Sequence, residues 1–201
     1  MRIFIVHGDL SVRSSLERLA AGAQCRVDSC SDAVSFLCQL PITEPACVIL
    51  GTDLPDIDGL QLQSLLGGRP DLPIIFVADR PSVRTVVQAM KAGAIEVLTT
   101  PIDESALLGA IHQALQRSAA VRARDEERRA LQQKYAQLSR REREVMQLVI
   151  RGRLNKHIAA ELGISEITVK THRGKVMRKM QADSLPHLVN MSSQIATAAT
   201  A

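Results

Sequence analysis

Aromatic side chains make up only 2% of the 201 residues, with no Trp and a single Tyr. Single-stranded nucleic acids are held largely by stacking on aromatic rings, so the chain is ill suited to that mode of binding. No apolar run approaches the roughly 20 residues of a membrane-spanning helix. The apolar start Ile3-Phe4-Ile5-Val6 is too short for a secretory leader and precedes no cleavage site, so a cytoplasmic location is expected. The four cysteines, Cys25, Cys30, Cys38 and Cys47, make no CxxC pair and no zinc spacing. They read as small buried residues, and Cys25 and Cys30 are the candidates for a redox role because they flank a strand end near the surface. No nucleophile–base pair and no complete metal site is visible, so neither enzyme activity nor a cofactor or metal is expected.

What is there is enough for two small globular domains: 46% hydrophobic and 23% charged residues over 201 positions. The formal charge of +4 hides an asymmetry. Residues 1–118 hold nine basic and thirteen acidic side chains; residues 119–201 hold sixteen and eight. An acidic half joined to a basic half predicts that only the second meets a polyanion.

The acidic half alternates apolar runs with amphipathic stretches. Arg2–Val6, Gln24–Asp28, Ala46–Gly51, Ile74–Ala78 and Glu96–Thr99 read as strands, and the third and fourth are apolar throughout, as in parallel strands covered on both faces. Ser11–Ala21, Ser31–Gln39, Gly59–Leu66, Ser82–Lys91 and the stretch from Asp103 place apolar residues at helical spacing. This alternation predicts an α/β (βα)5 doubly wound sheet. The last helix has no proline to stop it before about Gln137. It reads as a solvated linker, or as a dimeric coiled coil through Leu115, Val121, Leu131, Tyr135 and Leu138, whose spacings of 6, 10, 4 and 3 depart from a strict heptad.

The basic half is all helical. Ser139 and Glu142 form a capping box for a helix to about Arg151, with Gly152 in the left-handed position after it. Asn155 is the expected cap of a helix through Leu162, Ser165 that of a helix from Glu166 to Met180, and Leu185–Ile195 makes a fourth. Two short helices joined at Gly163 make a helix-turn-helix. Ile158, Ala159, Leu162, Ile164, Val169 and Val176 would be its core, and Thr168, Lys170, Thr171, Arg173 and Lys175 an exposed basic face that can enter a major groove.

Leu138-Ser-Arg-Arg-Glu-Arg-Glu-Val-Met, the run from Gly152 to Ser165, and Thr168-Val-Lys-Thr-His-Arg closely resemble the LuxR-type DNA-binding domain over about Leu138–Met191. The resemblance implies four helices, the third reading double-stranded DNA in the major groove and the fourth helping dimerisation. By position it implies base contacts from Lys170, Thr171 and Arg173, and phosphate contacts from Asn155, Lys156, Thr168, His172 and Lys175. Gly174 stands where some relatives have a basic side chain.

Ile5-Val-His-Gly-Asp, Leu54-Pro-Asp-Ile-Asp-Gly and Ala89-Met-Lys-Ala-Gly-Ala resemble the receiver domain of two-component response regulators of the NarL/FixJ group, over about Arg2–Leu115. Receivers transfer a phosphoryl group to an Asp, with Mg²⁺, a Lys and a hydroxyl stabilising the charge. Here the acidic pair falls on His7 and Gly8, leaving Asp9; the acceptor position, four before Pro55, is Gly51; the hydroxyl position is Ala78; the Lys position is Thr100; the aromatic position on strand five is Val97. Asp53 is near the pocket and reads as a loop carboxylate or cap, and Asp56 and Asp58 as turn formers before Gly59.

The expected organisation is a degenerate receiver over 1–117, a helical linker over 118–137, a LuxR-type helix-turn-helix domain over 138–196 and a tail over 197–201. The expected function is phosphorylation-independent transcription regulation by a homodimer on promoter half-sites, with a protein partner or small ligand as input at the receiver. The alternatives are a small-molecule or redox sensor using the vacated pocket, and an anti-regulator that sequesters a protein.

Overall fold

Where the apolar runs stand, strands form. A computed structural model describes residues 1–198, with side chains described as far as Ile195. It divides into two compact units, Met1–Ala123 and Arg124–Ala201.

The first unit is a five-stranded parallel sheet: β1 (Arg2–Val6), β2 (Arg26–Cys30), β3 (Ala46–Gly51), β4 (Ile74–Ala78) and β5 (Glu96–Thr99), in the order β2-β1-β3-β4-β5. β3 and β4 are buried at every position, as their unbroken apolar sequence requires. Side chains alternate between two cores. Phe4, Val48, Leu50 and Phe76 join Phe36 and Leu62 on one face. Ile3, Ile5, Ile49 and Ile75 join Leu16, Leu107 and Ile111 on the other. The intervening helices are α1 (Leu10–Ala20), α2 (Ala33–Leu37), α3 (Gly59–Leu65) and α4 (Val83–Lys91), with α5 (Glu104–Ala136) following β5. The strand order reverses between β1 and β3, so the loops after these strands flank one crevice.

Two expectations are corrected. β2 begins at Arg26 rather than Gln24, because Gln24 takes a left-handed backbone (φ 53°) that closes a single 3-10 turn over Ala21–Ala23. α2 is trimmed to Ala33–Leu37: the Asp32 carboxylate accepts from Ser35 N, while Asp56 accepts from Ala33 N and Val34 N, which fixes the first turn there.

α5 is a continuous helix of 33 residues, and the boundary between units falls inside it. The coiled-coil reading of its apolar residues does not survive. Leu115 is buried in the first unit's core and Leu131 and Leu138 in the second's, with Tyr135 packed beside them. At the end of the first unit, Ser118 Oγ donates to Asp71 O (2.6 Å) and accepts from Ala46 N (3.0 Å). Arg122 donates to Asp71 Oδ2 and to Ile42 O, both at 2.8 Å. These bonds tie the helix to the ends of the sheet.

The second unit holds α6 (Arg140–Ile150), α7 (Asn155–Leu162), α8 (Glu166–Met180) and α9 (Leu185–Ala198). The Ser139–Glu142 capping box forms with both of its bonds, and Gly152 is left-handed (φ 75°). α9 runs three residues past the expected Ile195; of the expected tail, residues 199–201 lie outside the described residues. Val145, Leu148, Ile158, Val169, Val176 and Leu188 fill this core. Among the described residues, no helix is long and apolar enough to cross a membrane.

Candidate functional site

The helix-turn-helix is built from α7 and α8. Gly163 closes α7 with φ 65°, a conformation that strains any residue carrying a Cβ. Ser165 Oγ then accepts from Thr168 N (3.1 Å) and pairs with Thr168 Oγ1 (2.8 Å), which starts α8. Val169, Val176 and Met180 face inward. Lys170, Thr171, Gly174 and Lys175 are exposed. Thr171 donates its hydroxyl proton to Ile167 O (3.0 Å).

The expected basic face is narrower than the spacing predicts. Thr168 and Arg173 are half-buried, because they border the inward stripe of a 3.6-residue period. Arg173 Nη1 donates to Asn155 Oδ1 (3.1 Å), joining α8 to the start of α7. His172 is also half-buried, its Nδ1 shielded without a hydrogen-bond partner among the described residues. Lys156 is exposed beside Asn155. Asn155 itself is not the cap: Leu154 holds that position without a side-chain bond, and Asn155 is the first helical residue, its amide oxygen accepting from Arg173.

In the sequence Glu142 reads only as half of a capping box. It is also the anchor of α8, since Lys179 Nζ lies 2.7 Å from Glu142 Oε2 and 3.1 Å from Gln137 O. Burial pushes the Glu142 pKa up, but hydrogen bonds from Lys179 and from Ser139 outweigh it and hold the carboxyl at about 2. A separation of 37 residues left no local signal for this pair.

Gly174 sits mid-helix, and a Cβ built there would meet no atom within 4 Å. Gly174→Ala should therefore raise stability by about 0.5–1 kcal/mol, the usual helix-interior difference. Urea unfolding reads this directly; an unchanged or lower midpoint contradicts an open surface at that position.

In the other unit the crevice at β1 and β3 collects the vacated receiver pocket. Val6 and Leu50 are in register, which sets His7, Gly8 and Asp9 next to Gly51. The His7 ring lies over Gly51: a Cβ there would sit 2.6 Å from His7 Cδ2 and 3.2 Å from Cγ and Nε2. His7 is half-buried, which lowers its pKa against the opposing effect of its bond with Asp9; its Nδ1 accepts from Asp9 N (3.1 Å). Asp9 caps α1, accepting from Ser11 N (2.7 Å) and Val12 N (3.2 Å), and these amides hold its carboxyl below the usual range. Arg13 Nη1 donates to His7 O (2.6 Å) and Gly8 O (3.2 Å). Thr100 Oγ1 donates to Asp79 Oδ1 (3.0 Å), while Ala78 is buried and contributes no hydroxyl.

A receiver's Mg²⁺ needs several hard oxygen ligands around one point. These residues do not fit it. Asp9 is engaged by backbone amides, Gly51 offers no side chain, and a guanidinium already occupies the carbonyls of His7 and Gly8. Among the described residues, no group of three or more His, Cys, Asp or Glu could hold a metal. Asp53 is exposed and accepts from Thr52 Oγ1 (3.2 Å). Asp56 accepts from the first-turn amides Ala33 N and Val34 N of α2, whose cap is Asp32, and Asp58 caps α3 in a capping box with Gln61. Gly59 is dictated by close approach, since any Cβ would collide with Gly51 O.

The cysteines are all free. The expectation that Cys30 lies near the surface is corrected. It is buried and burial raises its pKa; burial pushes Cys47 up to about 12. Cys25 is half-buried and Cys38 is the exposed thiol.

Residues 3–112 match the response regulator receiver domain, and residues 136–192 match the bacterial regulatory proteins of the luxR family. The response regulator protein TodT of Pseudomonas putida is 37% identical over 194 residues, covering 96% of this chain and 86% of that protein. The transcriptional regulatory protein FixJ of Rhizobium meliloti is 34% identical over 191 residues, covering 94% of each. Among solved structures, the response regulator StyR superposes with a TM-score of 0.89 at 40% identity, over 96% of this chain and 98% of that one. Full-length FixJ from B. japonicum gives 0.57 at 32% identity, over 98% and 97%. Two matched models covering most of the chain, and relatives alike along most of their length, make this protein a DNA-binding transcriptional response regulator of the LuxR/FixJ type, a receiver domain joined to a luxR-family helix-turn-helix.

Proposed function

We propose that this regulator binds promoter DNA as a homodimer and that its receiver relays input without phosphorylation of an aspartate. The carrying observation is the His7 ring seated where an acceptor side chain at position 51 would project. Phosphoryl transfer needs a carboxylate nucleophile, a cation at the phosphoryl oxygens and a free path for the donor. Gly51 removes the first, and Arg13 is bonded to backbone rather than to an open site.

Lys170 and Thr171 are the proposed base-reading residues, both exposed near the start of α8. Lys156 and Lys175 suit phosphate contacts, and Thr168, Asn155, Arg173 and His172 then brace the surface as much as they touch DNA. Val83, Val87 and Met90, 81%, 44% and 43% exposed, form an apolar stripe on α4 that a second copy of the chain would cover. Two copies then read half-sites about one helical turn, ~10 bp, apart. A protein fits the receiver's input better than a small ligand at the acceptor position, because the His7 ring lies over Gly51. The exposed Lys156, Lys170 and Lys175 favour action on DNA, in the cytoplasm, over sequestration of a protein.

The test is DNA selection with unphosphorylated protein, followed by gel shift of wild type and Lys170→Ala. Lys170→Ala should cost about 1–3 kcal/mol and relax the preference at one base step. Equal weakening on all sequences would move Lys170 to the phosphate-contacting group, and no enrichment of any duplex would defeat the proposal.

A further inference from the structure

Ile167 is the second residue of α8 and is 77% exposed, a large aliphatic side chain held in water. It is spaced three, four and seven residues from Lys170, Thr171 and Gly174, so all four share one face of the helix. That face is the one the DNA-binding reading sends into the major groove. Base contacts in this motif come chiefly from the start of the second helix, which is where Ile167 stands.

The chemistry of the face is more apolar than its charge suggests. Thr171 donates its hydroxyl proton to Ile167 O, so it has no donor left for a base and keeps its methyl and an acceptor oxygen. Gly174 offers no side chain at all. Ile167 and the Thr171 methyl therefore make an apolar strip beside a single ammonium, that of Lys170. In the major groove only thymine presents an apolar group, its 5-methyl. We propose that Ile167, with the methyl of Thr171, selects thymine 5-methyl groups next to the base read by Lys170.

This rests on the DNA-binding reading, and its test separates the two. A duplex is selected from a random pool with the full-length protein. It is then resynthesised with deoxyuridine at each thymine in turn, which removes the methyl and leaves the pairing edge intact. Wild type should lose about fourfold in affinity for each contacted methyl removed. Ile167→Ser should bind the thymine duplex more weakly and lose the distinction between thymine and uracil at the same step. Because the side chain is exposed, the variant should keep the wild-type Tm. Uracil duplexes that bind wild type as well as the thymine duplex overturn the proposal, and so does an Ile167→Ser variant that keeps full thymine preference. Failure to select any duplex instead overturns DNA binding itself, and this proposal with it.

Discussion

Gly51→Asp, the substitution that restores a carboxylate at the receiver's acceptor position, is expected to destabilise the protein by about 1–3 kcal/mol and to take up no phosphoryl group. A Cβ at position 51 meets His7 Cδ2 at 2.6 Å, so the ring must move or the strand must shift. The ring is not free to move without loss, because its Nδ1 accepts from Asp9 N and the carbonyl of His7 holds Arg13. The clash belongs to a pair of residues, so it should disappear in the His7→Ala/Gly51→Asp double variant. Urea unfolding of the four proteins gives the coupling, which should be of the same size as the single-variant loss. Acetyl phosphate with Mg²⁺ should leave the mass of either variant unchanged. A stable Gly51→Asp protein that gains one phosphoryl group would show that His7 yields readily and that the rest of the pocket still works.

Lys179→Met is expected to cost about 2–3 kcal/mol, measured by urea unfolding. Breaking a buried ion pair by removing one partner leaves a charge without compensation. Glu142 is all but buried, and Lys179 Nζ at 2.7 Å is its charged partner. The loss falls at the lower end for such pairs because Lys179 is about a third exposed and Ser139 N still donates to Glu142. Glu142→Gln/Lys179→Met should recover part of it. The pH dependence follows from the same carboxyl. Its folded pKa is held at about 2, below the ordinary 4.5, so its contribution is complete above 4.5 and is lost as pH falls from there through about 2. Glu142→Gln should flatten the acid limb of the stability curve in that window. An unchanged acid limb would contradict the assignment.

β1, β3 and β4 are legible as short apolar runs, and β5 by the apolar pair Val97-Leu98 inside a partly exposed Glu96–Thr99. The fifth, β2, was misplaced by two residues because Arg26-Val-Asp-Ser-Cys is partly exposed and carries no unbroken apolar signal. The aspartates were legible as turn residues, but not which amides they serve: Asp56 accepts from the first turn of a helix 22 residues earlier in the chain. Asn155 has a capping residue's chemistry but was placed one residue too late, since Leu154 takes the extended backbone that starts α7. The apolar residues late in α5 had the look of a dimer seam because sequence alone does not show that each unit's core absorbs its share. At the pocket, the absence of Asp, Lys and hydroxyl could be counted from the chain. That His7 fills the space over Gly51 could not, since it depends on the pairing of β1 with β3.

The most direct measurement is the affinity of the purified protein for a selected operator duplex in EDTA, set beside the affinity with Mg²⁺ and acetyl phosphate, with intact mass recorded for both samples. One and the same Kd is expected in both, with no added phosphoryl mass. Binding that appears only with the phosphodonor, accompanied by a phosphoryl group on Asp9 or Asp53, would contradict phosphorylation-independent binding.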